Sequence, residues 1–232
     1  MKETQFSRTE ELLGTAGWEK LRDAKIALFG VGGVGGYVAE ALVRSGVERL
    51  DLFDGDVVQP TNLNRQIIAL HSTLGKNKAE VAAQRMKDIN PAVKVGARVI
   101  FYLPENADEI DLSAYDYVVD AVDTVAAKLE LITRCRKEGI SIISAMGAGN
   151  KTDPLSFRVG DISETSVCPL ARAVRRELKK RGVEKGVKCV YSVQPPICTV
   201  KERQPRSVIY MPAIMGLIIA SEVIADLTEE TK

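Results

Sequence analysis

The chain is short of most features that would name a protein at sight. Its four cysteines (Cys135, Cys168, Cys189, Cys198) form no CxxC pair, which excludes a zinc site built from four thiolates in the usual spacing. They read as reduced thiols of a cytoplasmic protein. There is one histidine, His71, between two other candidate segments, and it is given a structural role. Aromatic residues make up 5% of the chain, leaving little to stack on bases; Trp18 is expected to pack. A net charge of +1 over 232 residues gives no whole-protein argument for nucleic acid, so any such argument must be local. No basic start is followed by an apolar run, so no secretory leader is expected. The longest apolar stretch, 208–227, contains Pro212, Ser221 and Glu222 and reads as a buried or interface helix rather than a membrane span.

What is present is a strand–helix rhythm. Short continuous apolar runs at 25–30, 50–54, 117–122 and 140–145 suit strands buried on both faces. A further strand is expected at 94–100, with helical patterns at 36–45, 77–89 and 124–138 between them. Beyond "GAGNKTDP" (147–154), strands at "SFRVGDI" and 188–194 and helices at 168–181 and 212–227 continue the chain. This predicts an α/β fold with a doubly wound, mostly parallel, Rossmann-like sheet. We expect one domain over 1–232, with a nucleotide-binding core (1–150) and a substrate-side elaboration (151–232). The ligand is expected beyond the strand carboxyl ends.

"FGVGGVGG" (29–36) places Gly30, Gly32, Gly33 and Gly35 where a strand turns into a helix. Absent Cβ atoms let the backbone approach phosphate, and the helix start supplies N–H groups. Asp54, after the second strand, stands where an acid takes a ribose hydroxyl, with Asp56 beside it. NAD and ATP are equally served so far. The segment "TNLNRQ" then brings Asn62, Asn64, Arg65 and Gln66 together, and Lys78 falls in the first turn of the next helix. A triphosphate carries about four negative charges against about two for a dinucleotide, so these cations favour ATP, with a metal. "DAVDT" ends the fourth strand and is expected to bring both Asp120 and Asp123 to the crevice, where a carboxylate suits Mg²⁺; Asp123 also reads as a helix cap.

"GVGGVGG", "DLFDGDVVQPTNLNRQ", "GKNKAE" and "DAVDT" together resemble the ubiquitin-activating E1-like fold, which includes the adenylating enzymes of thiamine and molybdopterin biosynthesis. The resemblance implies an enzyme that binds ATP and Mg²⁺, adenylates a carboxylate and dimerises. It implies further that Gly30–Gly35 hold phosphate and Asp54 the ribose. Asn62, Arg65 and Lys78 would contact the triphosphate and Asp123 the metal, and Arg8, in "FSRTEELLG", would reach the ATP of a partner subunit. Thr124 stands where many members have Asn.

The second half, "SVCPLARAVRRELKKRGVEKGVKCVYSVQPP", with the opening and closing segments, resembles the branch of that family that dehydrates threonylcarbamoyladenosine in tRNA. On the residues themselves, Arg172, Arg175, Arg176, Lys179 and Lys180 fall at helical spacing on one face, while Leu170, Val174 and Leu178 would dock the other side. Arg181, Lys185 and Lys188 extend the basic region. Such a stripe suits a phosphate backbone. Cys168 opens that helix, where a thiolate is favoured, which leaves a sulfur-transfer protein among the candidate partners. The rival readings are an activating enzyme for a ubiquitin-like sulfur carrier, an NAD-dependent oxidoreductase, and a non-catalytic nucleotide sensor.

Overall fold

A computed structural model describes residues 3–197 and 205–229; Cys198 lies outside them. Two amino-terminal helices, α1 (Ser7–Leu13) and α2 (Thr15–Asp23), precede β1 (Lys25–Phe29). Then come α3 (Gly35–Arg44), β2 (Arg49–Phe53), α4 (Lys78–Ile89), β3 (Lys94–Arg98), β4 (Tyr117–Asp120), α5 (Val125–Glu138) and β5 (Ser141–Ala145). The chain closes with β6 (Phe157–Asp161), α6 (Pro169–Lys180), β7 (Lys188–Ser192) and α7 (Tyr210–Thr228).

The strands form one sheet in the order β3-β2-β1-β4-β5-β7-β6. All pairs are parallel except β6 with β7, where Phe157 opposes Ser192. β1 lies between β2 and β4, with Ile26 opposite Leu50 on one side and Tyr117 on the other. Successive crossovers therefore leave β1 in opposite directions. A crevice opens where they part, above the carboxyl ends of β1 and β4.

Helices cover both faces, as a parallel sheet requires. On one face α3, α4 and α7 pack on Leu28, Leu52 and Val119; on the other α5 and α6 pack on Ala27, Phe29 and Val118. By length and composition α7 could cross a membrane. Here Met211, Met215, Ile219 and Val223, spaced four apart, are wholly buried and lie on α3 and α2. Its Gly216 sits so close that a Cβ would fall 2.5 Å from the Val34 carbonyl oxygen. One side of the helix is thus buried, in keeping with the buried or interface helix expected of its broken apolar run. The sequence pattern did not announce α1 and α2. The former buries no residue and the latter only Gly17 and Leu21, too few to mark a period.

Candidate functional site

A cleft of about 700 Å³ lies in the crevice. Its floor is the turn after β1, where the four motif glycines divide into two kinds. Gly30 has φ +86°, donates its N–H to Phe53 O at 2.8 Å, and would put a Cβ 2.7 Å from Ala121 O. A Cβ on Gly35 would lie 1.8 Å from Gly30 O. These two are demanded by the tightness of the turn. Gly32 and Gly33 face the cleft: Gln66 Nε2 lies 3.7 Å from where a Gly32 Cβ would be, and Pro212 Cβ and Arg65 Cγ lie 3.3 and 3.5 Å from where a Gly33 Cβ would be. Among the described residues, the N–H groups of Gly32, Gly33, Val34 and Gly35 meet no acceptor. Four free donors at the start of α3 make an anion site.

The Val31 N–H, by contrast, is taken. Asp54 Oδ2 accepts it at 2.7 Å, and Asp54 Oδ1 accepts the Asp56 N–H at 2.9 Å. Burial pushes the Asp54 carboxyl up from its ordinary value, against these two hydrogen bonds and the nearby Lys78 charge. Lys78, itself buried, donates to Asp56 Oδ2 at 2.8 Å. Arg65 lines the cleft and is steadied by Nη1 donating to Thr61 O (2.8 Å) and Asn64 Oδ1 (2.9 Å). Asn62 and Asn64 do not line it. Asn62 Oδ1 accepts the Gln59 N–H and caps a short turn at Pro60–Asn62, while Asn64 Nδ2 donates to Ser207 O. Both build the segment that carries Arg65. Gln66 is buried against the turn, and its Oε1 has no partner among the described residues. Arg8 is exposed on α1 and does not line the cleft of its own chain. His71 lies exposed in a short turn away from the cleft.

The two aspartates of "DAVDT" part company. Asp123 is exposed in the cleft. It is not the cap of α5; Thr124 holds that position. Asp120, expected in the same crevice, is fully buried beneath it. Both its oxygens accept from Lys128 Nζ at 3.0 Å, one also from the Ser144 hydroxyl, and Oδ1 from the Val122 N–H at 3.2 Å. Lys128 sits on α5 with Leu131, Ile132 and Cys135, all buried. A lysine on an apolar helical stripe was the signal for this pair, and sequence reasoning passed over it.

Two further walls were not foreseen. At one end Phe53, Ile100, Phe101, Tyr102 and Leu103 make an apolar pocket. Phe29 stacks on Phe53 at 4.3 Å behind it, and Phe101 remains 58% exposed. A Cβ on Gly55 would lie 2.6 Å from the Phe101 ring, so that glycine makes room for it. At the other end, beyond β5, lie Met146 to Lys151 and the start of α6. Cys168 caps α6 but is fully buried, its Sγ accepting the Gly147 N–H at 3.4 Å.

Helix α6 docks through Ala171, Val174 and Leu178, with Leu170 half-buried. Arg172, Arg176, Lys179 and Lys180 are exposed. Arg175 is a correction to the expected stripe: its Nη1 turns inward to Thr165 O at 2.6 Å and to the Thr165 hydroxyl. Glu177 pairs with Arg176 and Lys180, and Glu184 with Lys179. Lys188 is likewise spent, on Glu222 and Asp226 at 2.8 Å. Among the described residues no cluster of three or more metal-ligating side chains exists.

Fold and cleft together define a nucleotide-binding α/β protein with an anion site at the start of α3 and cations facing it. The chain belongs to the ThiF family, which matches residues 6–232. It is 41% identical to the tRNA threonylcarbamoyladenosine dehydratase of Bacillus subtilis over 97% of this chain and 95% of that one. It is 40% identical to the Escherichia coli enzyme of the same name over 82% of this chain and 74% of that one. The crystal structure of the E. coli dehydratase in complex with ATP superposes with a TM-score of 0.91 at 36% identity, covering 96% and 93% of the two chains. E. coli MccB with ATP shares the fold at 18% identity and a TM-score of 0.72, over 98% of this chain and 64% of that one.

Proposed function

We propose that this chain uses ATP to dehydrate threonylcarbamoyladenosine in tRNA by adenylating its carboxylate. The observation that carries the reading is the set of four free N–H groups at the start of α3, facing Arg65 and Lys78 across one cleft, in a chain so close to the named dehydratases.

The apolar pocket of Phe53, Ile100 and Phe101 suits adenine, and Asp54, with lone pairs left on both oxygens, suits the ribose. The Gly32–Gly35 N–H groups would cradle phosphate, with Arg65 and Lys78 offsetting the pyrophosphate charge. A carboxylate oxygen of the substrate attacks the α-phosphorus, and the bond to the bridging oxygen breaks, releasing pyrophosphate. A carbamoyl nucleophile in the same side chain then attacks the activated carbonyl and loses a proton, and AMP departs with the bonding pair. The ring is closed and one water is lost from the nucleoside, its oxygen leaving in AMP. Asp123, an exposed carboxylate whose one side-chain hydrogen bond among the described residues is a long one from Thr124, would hold Mg²⁺, an ion that needs only one or two carboxylates beside phosphate oxygens and water; bound there it would screen the triphosphate.

Arg172, Arg176, Lys179 and Lys180 would follow the tRNA backbone, with Arg175 bracing the helix. A homodimer would give Arg8 a cleft to reach and would cover Ile209, Tyr210 and Leu217, which are 47, 38 and 48% exposed. A cytoplasmic site of action fits the free, buried thiols of Cys135, Cys168 and Cys189. The burial of Cys168 argues against a thioester relay to a sulfur carrier. Incubation with ATP and modified tRNA should release AMP and pyrophosphate and lower the tRNA mass by one water. Arg65→Ala should slow this by about 100-fold. ATP turnover with unchanged tRNA mass would refute the substrate.

A further inference from the structure

The cleft continues past the nucleotide half, and the sheet order tells which part of the reaction lies there. The apolar pocket stands at the ends of β2 and β3, the anion site between β1 and β4, and Arg65 and Lys78 on the β2 side. The next strands along are β5 and β7. A group joined to the α-phosphate opposite the departing pyrophosphate must lie above them. This region is walled by Met146, Gly147, Cys168, Leu170 and Pro196, and among the described residues its one charged side chain is Lys151.

Lys151 is 3% exposed. Its Nζ donates to Gln194 O at 2.5 Å and to Ser192 O at 3.4 Å. Two carbonyls hold two of three N–H directions and leave the third. No carboxylate pairs with it among the described residues, whereas Lys78 has Asp56. A buried ammonium without a counter-ion is costly, and burial holds the Lys151 amine below its ordinary value. The reaction brings a carboxylate against a triphosphate, two anions that repel. Resting on the dehydratase reading, we propose that Lys151 receives the substrate carboxylate and so selects modified over unmodified tRNA.

Its ammonium offsets the charge of the carboxylate before attack, and the carboxylate completes the lysine's coordination. The nucleotide half does not depend on it. The test compares binding of tRNA carrying threonylcarbamoyladenosine with the same tRNA bearing adenosine, in the presence of AMP and absence of ATP. The unmutated chain should prefer the modified tRNA. K151M should cut that preference at least fivefold and raise KM for modified tRNA, with AMP affinity and KM for ATP within twofold; K151R should keep most of the preference. An unmutated chain with no preference, or K151M that retains it, overturns the proposal. Should K151M fail to fold, reductive methylation of the AMP-loaded unmutated chain decides. The free modified nucleoside should slow labelling of Lys151 and adenosine should not; equal labelling overturns the proposal. If the unmutated chain removes no water from modified tRNA, it is the reaction that fails, not the lysine.

Discussion

Asp54 and Val31 join the end of one strand to the turn after its neighbour: the carboxylate accepts the Val31 N–H at 2.7 Å, 23 residues away. The acid thus orients the glycine turn before any ribose arrives. Asp54→Ala should therefore harm phosphate binding as well as ribose binding. The expected result is an ATP affinity at least about tenfold weaker, the range for losing hydrogen bonds to a charged group, and a similar loss for inorganic pyrophosphate, which has no ribose. Calorimetric titration with both ligands checks this; an unchanged pyrophosphate affinity would confine Asp54 to the ribose.

The Asp120–Lys128 pair predicts a stability effect apart from chemistry. Lys128→Met leaves a fully buried carboxylate without its cation and should cost about 3–5 kcal/mol. Replacing both, Asp120→Leu with Lys128→Met, should recover much of the loss, although the Val122 N–H loses its acceptor. Urea unfolding of the three chains measures both.

Glu40 predicts a pH dependence. On α3 it accepts from Arg44 at 2.7 Å and from Arg85 of α4 at 2.7 Å. Burial pushes its carboxyl up, but the hydrogen bonds from Arg85 and Arg44 outweigh that and hold it below its ordinary value of 4.5. A depressed acid stabilises the fold above the unfolded value and loses that benefit as pH falls through the folded one. Glu40→Gln should lower stability by about 1 kcal/mol at pH 7. The gap should shrink below about pH 4.5, as thermal melts across that range would show.

On α6 the exposed and the inward arginines should separate cleanly. Arg172→Ala with Arg176→Ala should weaken tRNA binding and lower the slope of log K against log salt by about 1.5–2. Arg175→Ala should leave the slope and lower the melting temperature instead, through loss of its hold on Thr165.

How far these features were legible follows from the distance over which each is determined. The strand–turn–helix around Gly30–Gly35 and the helix begun by Lys78 follow from local steric and periodic rules, and their bounds were readable within two residues. Asp120 and Asp123 could not be sorted locally. Which carboxylate turns inward depends on Lys128 and Ser144, reached through other elements. Lys151 lies in a loop without period, and its burial is set by carbonyls more than forty residues on. Arg175 has the spacing of its neighbours, and only the position of Thr165 distinguishes it.

Pro212, in the first turn of α7, stands 3.3 Å from the point a Gly33 Cβ would occupy, so the last helix forms part of the wall against which the first glycine turn is set. Every phosphate motif lies before residue 125, yet a chain ended at residue 150 would lack that wall and uncover the side of α3 on which α7 packs. Such a fragment should neither hold nucleotide nor stay in solution. The far end of the chain is therefore a structural part of the nucleotide site that its first half encodes.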